Sequence, residues 1–84
     1  MEKIQISNNI QNDIQKVLDN LKTLNLEDLI KSLPKEIGGD FLEIWWNGDW
    51  WKAGYQCHEY GEIEEQSETV KGAVVNLAKR LIKN

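Results

Sequence analysis

The residues with the greatest chemical reactivity in this sequence are the adjacent pair Cys57-His58. A thiolate beside an imidazole can act as nucleophile and base, and both side chains are common zinc ligands. Neighbouring residues of a β-strand point to opposite faces, so these two side chains cannot meet at one substrate or one metal ion. The chain has no second cysteine or histidine, and Cys57 is therefore interpreted as a small buried apolar residue. The sequence predicts a protein that is not an enzyme and uses no cofactor or metal.

A run of acidic residues near the C-terminal end is the second group with a recognisable chemistry. It comprises Glu59, Glu62, Glu64, Glu65 and Glu68, with no base among them. A structural explanation is favoured, because carboxylates suit a solvated edge strand and the start of a helix. The functional alternative is that alternate strand carboxylates, about 7 Å apart, imitate the phosphates of a nucleic acid. Such an acidic edge would occupy a basic cleft on a partner protein.

The four tryptophans carry the strongest indication of function, and all of them lie between residues 45 and 51. They surround Asn47-Gly48, a dipeptide typical of a two-residue type I′ turn, which requires positive φ at both central positions. A hairpin closed by that turn has a fixed register. The predicted pairs are Trp46 with Asp49, Trp45 with Trp50, Ile44 with Trp51, Glu43 with Lys52, and Leu42 with Ala53.

The alternation of strand side chains divides this hairpin into a core face and a second face. The core face carries Leu42, Ile44, Trp51, Ala53, Tyr55 and Cys57, and the second face carries Phe41, Glu43, Trp45, Trp50 and Lys52. Trp46, beside the turn, is expected to be half covered at the rim. The aromatic rings of the second face form an apolar area that a soluble monomer rarely exposes. Either a helix of the chain covers this face, giving a three-layer sandwich, or a partner binds it.

Amphipathic helices are predicted on both sides of the hairpin. Apolar residues recur at helical spacing from Ile10 to Leu24 and from Val70 to Leu81. The first helix has N-cap candidates in Ser7-Asn8-Asn9, and the last has Ser67 or Thr69. The sequence therefore predicts a helix of about four turns before the hairpin and a second long helix at the C-terminal end.

Shorter elements complete the order. Asn25 is a cap candidate for a short helix, 26–33, which Pro34 ends because the residue before a proline is disfavoured in helical geometry. After the hairpin, Gly61 is the expected positive-φ position of a second turn. A third strand, 62–66, follows and is acidic, as edge strands often are.

This order places the chain in the α+β class, as α-(short α)-β-β-β-α with a three-stranded antiparallel meander packed with two main helices. At 84 residues, the chain is expected to form a single domain, 1–84. The expected parts are an N-terminal helical segment at 7–33, the β-meander at 41–66 and the C-terminal helix at 68–83.

An α-β-β-β-α order resembles that of double-stranded RNA-binding domains. The segment 66–73, QSETVKGA, is similar in layout to their strand-to-helix junction, where a serine precedes the final helix. The helix start at 69–73 also resembles the Thr-x-x-Glu-Ala start of HicB-type antitoxins, with Gly72 in place of the glutamate. The RNA-binding family grips phosphate with lysines at this junction, whereas here the junction is acidic and Lys71 is its one base. The resemblance therefore implies the layout and not the RNA-binding activity.

Charge and targeting features limit the partners. The chain has 14 acidic and 10 basic residues, a net charge of −4, which argues against duplex DNA or RNA as a partner. A lone cysteine is typical of the reducing cytoplasm. The first residues lack the basic end and apolar run of a signal peptide, and no later stretch is apolar enough for a membrane span. We expect a cytoplasmic protein that does not enter a membrane.

These observations favour a non-enzymatic protein-binding module, an inhibitor or adaptor of the phage or mobile-element type, and they are compatible with a homodimer. The predicted partner-binding residues are Phe41, Trp45, Trp46 and Trp50 on the aromatic side and Glu59, Glu62, Glu64 and Glu65 on the acidic edge. The alternative is a single-stranded nucleic-acid binder that stacks bases on exposed indoles. That activity needs basic residues around the aromatic rings, and Lys52 is the one base nearby.

Overall fold

A computed structural model of the chain describes residues 6–20, 23, 25–57 and 61–82, with the backbone alone at Cys57. The elements in order are α1 (Asn8–Leu18), α2 (Leu26–Ser32), β1 (Glu36–Ile37), β2 (Asp40–Phe41), β3 (Glu43–Trp46), β4 (Trp51–Cys57), β5 (Gly61–Ser67) and α3 (Val70–Ile82). Strands β3, β4 and β5 form an antiparallel sheet with β4 in the centre. The predicted α+β class, meander and edge position of the acidic strand are confirmed. The separate two-stranded β1–β2 ribbon was not predicted.

The first helix is shorter than predicted. Its start is confirmed, because the Ser7 hydroxyl accepts a hydrogen bond from the Ile10 amide at 3.3 Å. It ends at Leu18, so it has three turns and does not continue to Leu24. The side chains of Leu21 and Leu24, predicted to extend its apolar face, lie outside the described residues.

The other two helices begin at side-chain caps. Asn25 Oδ1 accepts from the Glu27 amide at 2.8 Å, which confirms Asn25 as the cap of α2. Thr69 Oγ1 accepts from the Gly72 amide at 2.9 Å. Of the two cap candidates for α3, the structure therefore selects Thr69 over Ser67, since the capping oxygen must reach an amide of the first helical turn.

Gly72 has a structural role at the start of α3. A Cβ added there would lie 2.9 Å from Ser67 Cβ and 2.9 Å from Thr69 Oγ1, closer than side chains pack. The end of β5 therefore occupies the space that a side chain at this position would need. This crowding disfavours any side chain at position 72.

The predicted register of the β3–β4 hairpin is wrong by two positions. The observed pairs are Glu43 with Gly54, Ile44 with Ala53, Trp45 with Lys52, and Trp46 with Trp51. The central turn residues are Gly48 and Asp49, because the Asn47 amide donates to the Trp50 carbonyl at 3.1 Å. Gly48 has a φ of 105°, whereas Asn47 does not adopt positive φ. Glycine at the first central position is typical of type II′ turns.

The side chain of Asn47 accounts for this choice of turn. Its Oδ1 accepts from the Asp49 amide at 2.9 Å and from the Trp50 amide at 2.8 Å. Asparagine often bonds the backbone two or three residues further on, which competes with the left-handed conformation that a type I′ turn requires. Asn47 therefore caps the turn from its flank instead of forming its centre.

The new register removes the predicted pairing of Trp45 with Trp50 but leaves the assignment of faces intact. Trp50 lies at the flank of the turn, before β4 begins. Moving the turn by one residue shifts every partner by two, and side chains two apart share a face. Trp45 therefore stays on the second face beside Lys52, and Trp51 stays on the core face with Ala53.

A two-residue turn with positive φ at both central positions occurs in the β1–β2 ribbon instead. Gly38 and Gly39 have φ values of 59° and 90°, and they connect Ile37 to its partner Asp40. Glycine adopts these angles without the Cβ penalty that other residues incur. The predicted positive φ of Gly61 is also confirmed, at 75°.

The core lies between the sheet and a layer of helices. Helix α3 packs on β4 and β5, while α1 and α2 pack against each other and against α3. The buried apolar residues are Ile14, Leu18, Leu29, Leu33, Ile37, Ala53, Tyr55, Ile63, Ala73, Val74, Leu77, Ala78 and Leu81. In the described part of the chain, neither α1 nor α2 packs as a layer on the opposite face of the sheet. The predicted three-layer sandwich is therefore not the arrangement found there.

Tyr55 joins the sheet to the segment that follows α2. Its hydroxyl donates to the Pro34 carbonyl oxygen at 2.6 Å. Burial raises the pKa of this phenol above its usual range, because the charged phenolate would lose its hydration.

None of the described helices has the length and apolar character that a membrane crossing requires.

Candidate functional site

The structure distributes the predicted partner-binding residues over separate places instead of one surface. Trp46 and Trp50 flank the β3–β4 turn, and we call these two residues with Gly48-Asp49 the hairpin tip. Trp45 lies on the sheet face away from α3, which we call the open face. Phe41 belongs to the β1–β2 ribbon and lies in neither place.

The hairpin tip exposes two indoles. Trp46 is 51% exposed and Trp50 is 38% exposed. The Trp46 ring lies 5.6 Å from the half-buried Trp51 ring, tilted by 53°, an arrangement favoured for aromatic pairs. The backbone of Trp50 is held by its hydrogen bonds with Asn47. The tip therefore presents large apolar groups on an ordered turn, with the exposed carboxylate of Asp49 at its apex.

The open face is a mixed surface of one indole and several charged groups. Trp45 is half-buried and lies beside Lys52, which in turn pairs with Gln66 of β5. Lys52 Nζ lies 3.0 Å from Glu64 Oε1 in an ion pair. Lys52, the base expected to support nucleic-acid stacking, is therefore already neutralised by a carboxylate of the chain.

Gly54 explains how Glu64 reaches across the open face. A Cβ added at Gly54 would lie 2.7 Å from both Glu64 Cα and Glu64 Cβ and would also meet the Ile63 carbonyl oxygen. The absence of a side chain at Gly54 therefore lets β5 approach β4 closely. Glu64 then leans over the central strand towards Lys52.

The acidic run does not form one row of carboxylates. Glu64 faces Lys52, whereas Glu65 points to the helix side, where its Oε2 lies 3.1 Å from Arg80 Nη1. The same guanidinium nitrogen donates to the Glu64 carbonyl oxygen at 3.0 Å. Glu62 is exposed on β5, and Glu59 lies outside the described residues. Two of the predicted carboxylates are therefore used in ion pairs within the chain.

Phe41 forms one wall of a groove that the sequence did not predict. The groove has a volume of about 400 Å³ and is lined by Ile30, Lys31, Leu33, Pro34, Lys35, Phe41 and Leu42. We call it the ribbon groove, since it lies where α2 meets the β1–β2 ribbon. Phe41 is 68% exposed, and its pairing with Glu36 in the ribbon corrects its predicted place beside Trp45. Gly38-Gly39 was the available signal, because it folds β2 back to this position.

The described residues contain no group of three or more histidine, cysteine or carboxylate side chains placed to hold a metal ion. The side chain of Cys57 and all of His58 lie outside the described residues. The interpretation of Cys57 as a buried apolar residue stays a prediction.

Comparison with known proteins gives no match: no family model, curated protein or solved structure matches the chain. The geometry of the hairpin tip, the open face and the ribbon groove is therefore the basis for a functional proposal.

Proposed function

We propose that this chain is a non-enzymatic protein-binding module of the cytoplasm, an inhibitor or adaptor of the phage or mobile-element type, and that it binds its partner through the hairpin tip. The observation that carries the proposal is the exposure of Trp46 and Trp50, 51% and 38%, on a turn fixed by hydrogen bonds. Tryptophan is enriched at the energetic centres of protein interfaces. An ordered tip also loses little conformational entropy when it binds.

Charge favours a protein partner over a nucleic acid. The chain has a net charge of −4, Asp49 adds a negative charge at the tip, and Lys52 is paired with Glu64 at 3.0 Å. A single-stranded nucleic acid stacks on aromatic rings only where basic residues also neutralise its phosphates. A basic partner surface, such as the cleft of a nucleic-acid-binding protein, would complement Asp49 and the exposed Glu62.

An affinity experiment with matched variants tests the proposal. Wild-type protein, a Trp46→Ser/Trp50→Ser variant and a Gln56→Ser control are immobilised and exposed to extract of the native host. Gln56 is a suitable control because it is exposed near the far end of β4, outside both the tip and the ribbon groove. We expect a protein that is retained by the wild type and the control and lost by the tip variant, as measured by quantitative mass spectrometry. A bound protein that the tip variant retains equally would disprove the role of the tip.

The nucleic-acid alternative has its own measurement. Tryptophan fluorescence is followed while a single-stranded oligonucleotide is added at low salt. We expect no quenching, because the charges around the indoles repel phosphate. Quenching that weakens with salt and disappears in the tip variant would establish base stacking instead.

A further inference from the structure

The ribbon groove combines an apolar floor with basic residues at its rim. Leu33 is buried at its base, while Phe41 is largely exposed along one wall. Lys31 and Lys35 are exposed at the edge, and the Lys31 ammonium lies 3.2 Å from the equally exposed Glu27. An apolar depression with positive charge at its margin suits an aromatic group that carries a negative charge beside it.

The hairpin tip of the same chain has that chemistry. Its two indoles are exposed, and Asp49 lies between them in the sequence, exposed at the centre of the turn. Aromatic rings pack favourably on one another, so an indole of the tip can pack on Phe41 while Asp49 faces Lys35, since Lys31 is already paired with Glu27. The tip is convex and the groove is concave, and both are uncovered in the described part of the chain.

We infer that the ribbon groove binds the hairpin tip of a second copy of this chain, with one exposed indole of the tip against Phe41 and the Asp49 carboxylate near Lys35. This inference rests on the proposed function of the tip as a protein-binding surface, and it names one protein that the surface binds.

The tip cannot reach the groove of its own chain. Phe41 and Trp46 are five residue steps apart along nearly extended backbone, roughly 17 Å at about 3.4 Å per residue. Strand β3 is paired with β4 and β2 also packs against β4, so this separation is fixed. The contact must therefore form between copies and join two different surfaces, a heterologous arrangement.

Sedimentation of three proteins over a wide concentration range tests the inference. We expect the wild type to rise above its monomer mass of 9.8 kDa as its concentration increases. A tip variant, Trp46→Ser/Trp50→Ser, and a groove variant, Phe41→Ser/Lys35→Glu, are each expected to stay monomeric. Mixing these two variants is expected to produce a heterodimer, because one intact groove and one intact tip remain in the mixture.

The mixture separates the inferred contact from other forms of self-association. A tip-to-tip contact would require two intact tips, so a mixture that stays monomeric while the wild type self-associates would overturn the inference. A wild type that stays monomeric at every concentration would overturn it as well. Circular dichroism spectra identical to the wild type establish that each variant is folded.

A charge exchange provides a test that leaves the aromatic residues in place. Asp49→Lys alone is expected to weaken self-association roughly tenfold, since a repulsive rim pair replaces an attractive one. The double variant Asp49→Lys/Lys35→Glu is expected to restore it, because opposite charges then face each other again in every contact. Absence of that recovery would show that Asp49 does not face Lys35.

The two proposals fail in different ways. A monomeric wild type that still retains a host protein through Trp46 and Trp50 would end the inference about the groove and leave the proposed function standing. The opposite result is that the tip variant and the groove variant form a heterodimer when mixed, while no host protein is retained through the tip. This result would support the groove contact and remove the proposal of a separate partner.

Discussion

The two faces of the three-stranded sheet are built from alternate residues of the same strands, but one is buried against α3 and the other is partly exposed. On the helix side, Ala53, Tyr55 and Ile63 are at most 1% exposed beneath α3. On the open face, Trp45 is half-buried and Lys52 is neutralised by Glu64. The described helices lie in one layer, so among the described residues one sheet face supplies the core and the other carries charged and aromatic side chains.

Truncation of a residue on each face should give the largest contrast. Ile63→Ala removes a buried side chain beneath α3 and is expected to lower the free energy of unfolding by about 2 to 5 kcal/mol. Trp45→Ala removes a larger side chain from the open face and is expected to cost only about 1 kcal/mol, mainly through its cross-strand contacts. Urea denaturation of both variants measures the difference.

A result in which Trp45→Ala destabilises the chain as much as Ile63→Ala would break the comparison. The open face would then be covered by residues outside the described part of the chain or by a second copy. Repeating the Trp45→Ala measurement at several protein concentrations separates these two explanations, because only a second copy makes stability depend on concentration.

Gly54 should show that the open face is closely packed at its centre although none of the described helices covers it. Gly54→Ala places a Cβ 2.7 Å from Glu64 Cα, and backbone atoms cannot move aside as a flexible side chain can. We expect Gly54→Ala to lower the free energy of unfolding by roughly 1 to 3 kcal/mol. Gln56→Ala, at an exposed position of the same strand, is the matched control and should change stability by less than about 0.5 kcal/mol. Equal melting temperatures for the two variants would contradict the close strand approach.

Tyr55 offers a smaller test on the helix side. Tyr55→Phe keeps the ring but removes the hydroxyl that donates to the Pro34 carbonyl oxygen at 2.6 Å. The expected loss is about 1 kcal/mol, the usual net contribution of one hydrogen bond plus the cost of leaving its acceptor unpaired. The free energies of unfolding of wild type and Tyr55→Phe, obtained by urea denaturation, measure this loss.

The same residue predicts how stability changes at alkaline pH. Burial raises the pKa of the Tyr55 phenol above its usual value of 10.0, so the folded state holds the proton more tightly than the unfolded state. Its contribution to stability is complete below pH 10 and declines as the pH rises further. The difference in the free energy of unfolding between wild type and Tyr55→Phe is measured as the pH rises above 10. Because the lysines titrate in both proteins, this difference isolates the contribution of the Tyr55 phenol. A difference that does not depend on pH would contradict the burial of the phenol.

The ion pair of the open face should give the smallest effect. Glu64→Gln removes the charge facing Lys52, whose side chain is 21% exposed against 27% for Glu64. Partly exposed pairs contribute about 0.2 to 1 kcal/mol, and salt screens that contribution. We expect a small loss at low ionic strength that shrinks at high ionic strength. A loss that does not respond to salt would indicate a packing role for Glu64 over Gly54.

The sequence was sufficient for the class of fold because each helix and each strand of the three-stranded sheet carries its own signal. The caps at Ser7 and Asn25, the meander and the positive φ of Gly61 all follow from local patterns. The faces of the hairpin were also predictable, since a turn displaced by one residue preserves the alternation. Trp51 therefore lies on the core face as predicted, although its cross-strand partner is Trp46 and not Ile44.

The exact partners were not predictable from turn propensity. Asn47-Gly48 and Gly48-Asp49 are both acceptable turn centres, and the choice depends on the side chain of Asn47, which accepts hydrogen bonds from two backbone amides.

The ribbon groove was not predicted for a related reason. Gly38-Gly39 is a short signal flanked by strands of two residues each, too short to show an alternating pattern. The pairing of Glu65 with Arg80 joins residues distant in the sequence, and no local pattern predicts it.

The hydrogen bond between Tyr55 and Pro34 has a mechanical consequence. It anchors the wall of the ribbon groove to β4, the strand that begins at Trp51 beside the hairpin tip. Trp51 and Tyr55 are four residue steps apart along β4, roughly 14 Å at about 3.4 Å per residue, and a paired strand resists both stretching and compression. Strand β4 therefore acts as a rigid spacer of constant length. If copies add head to tail, this spacer sets the step between successive copies, and every added copy advances the assembly by the same increment.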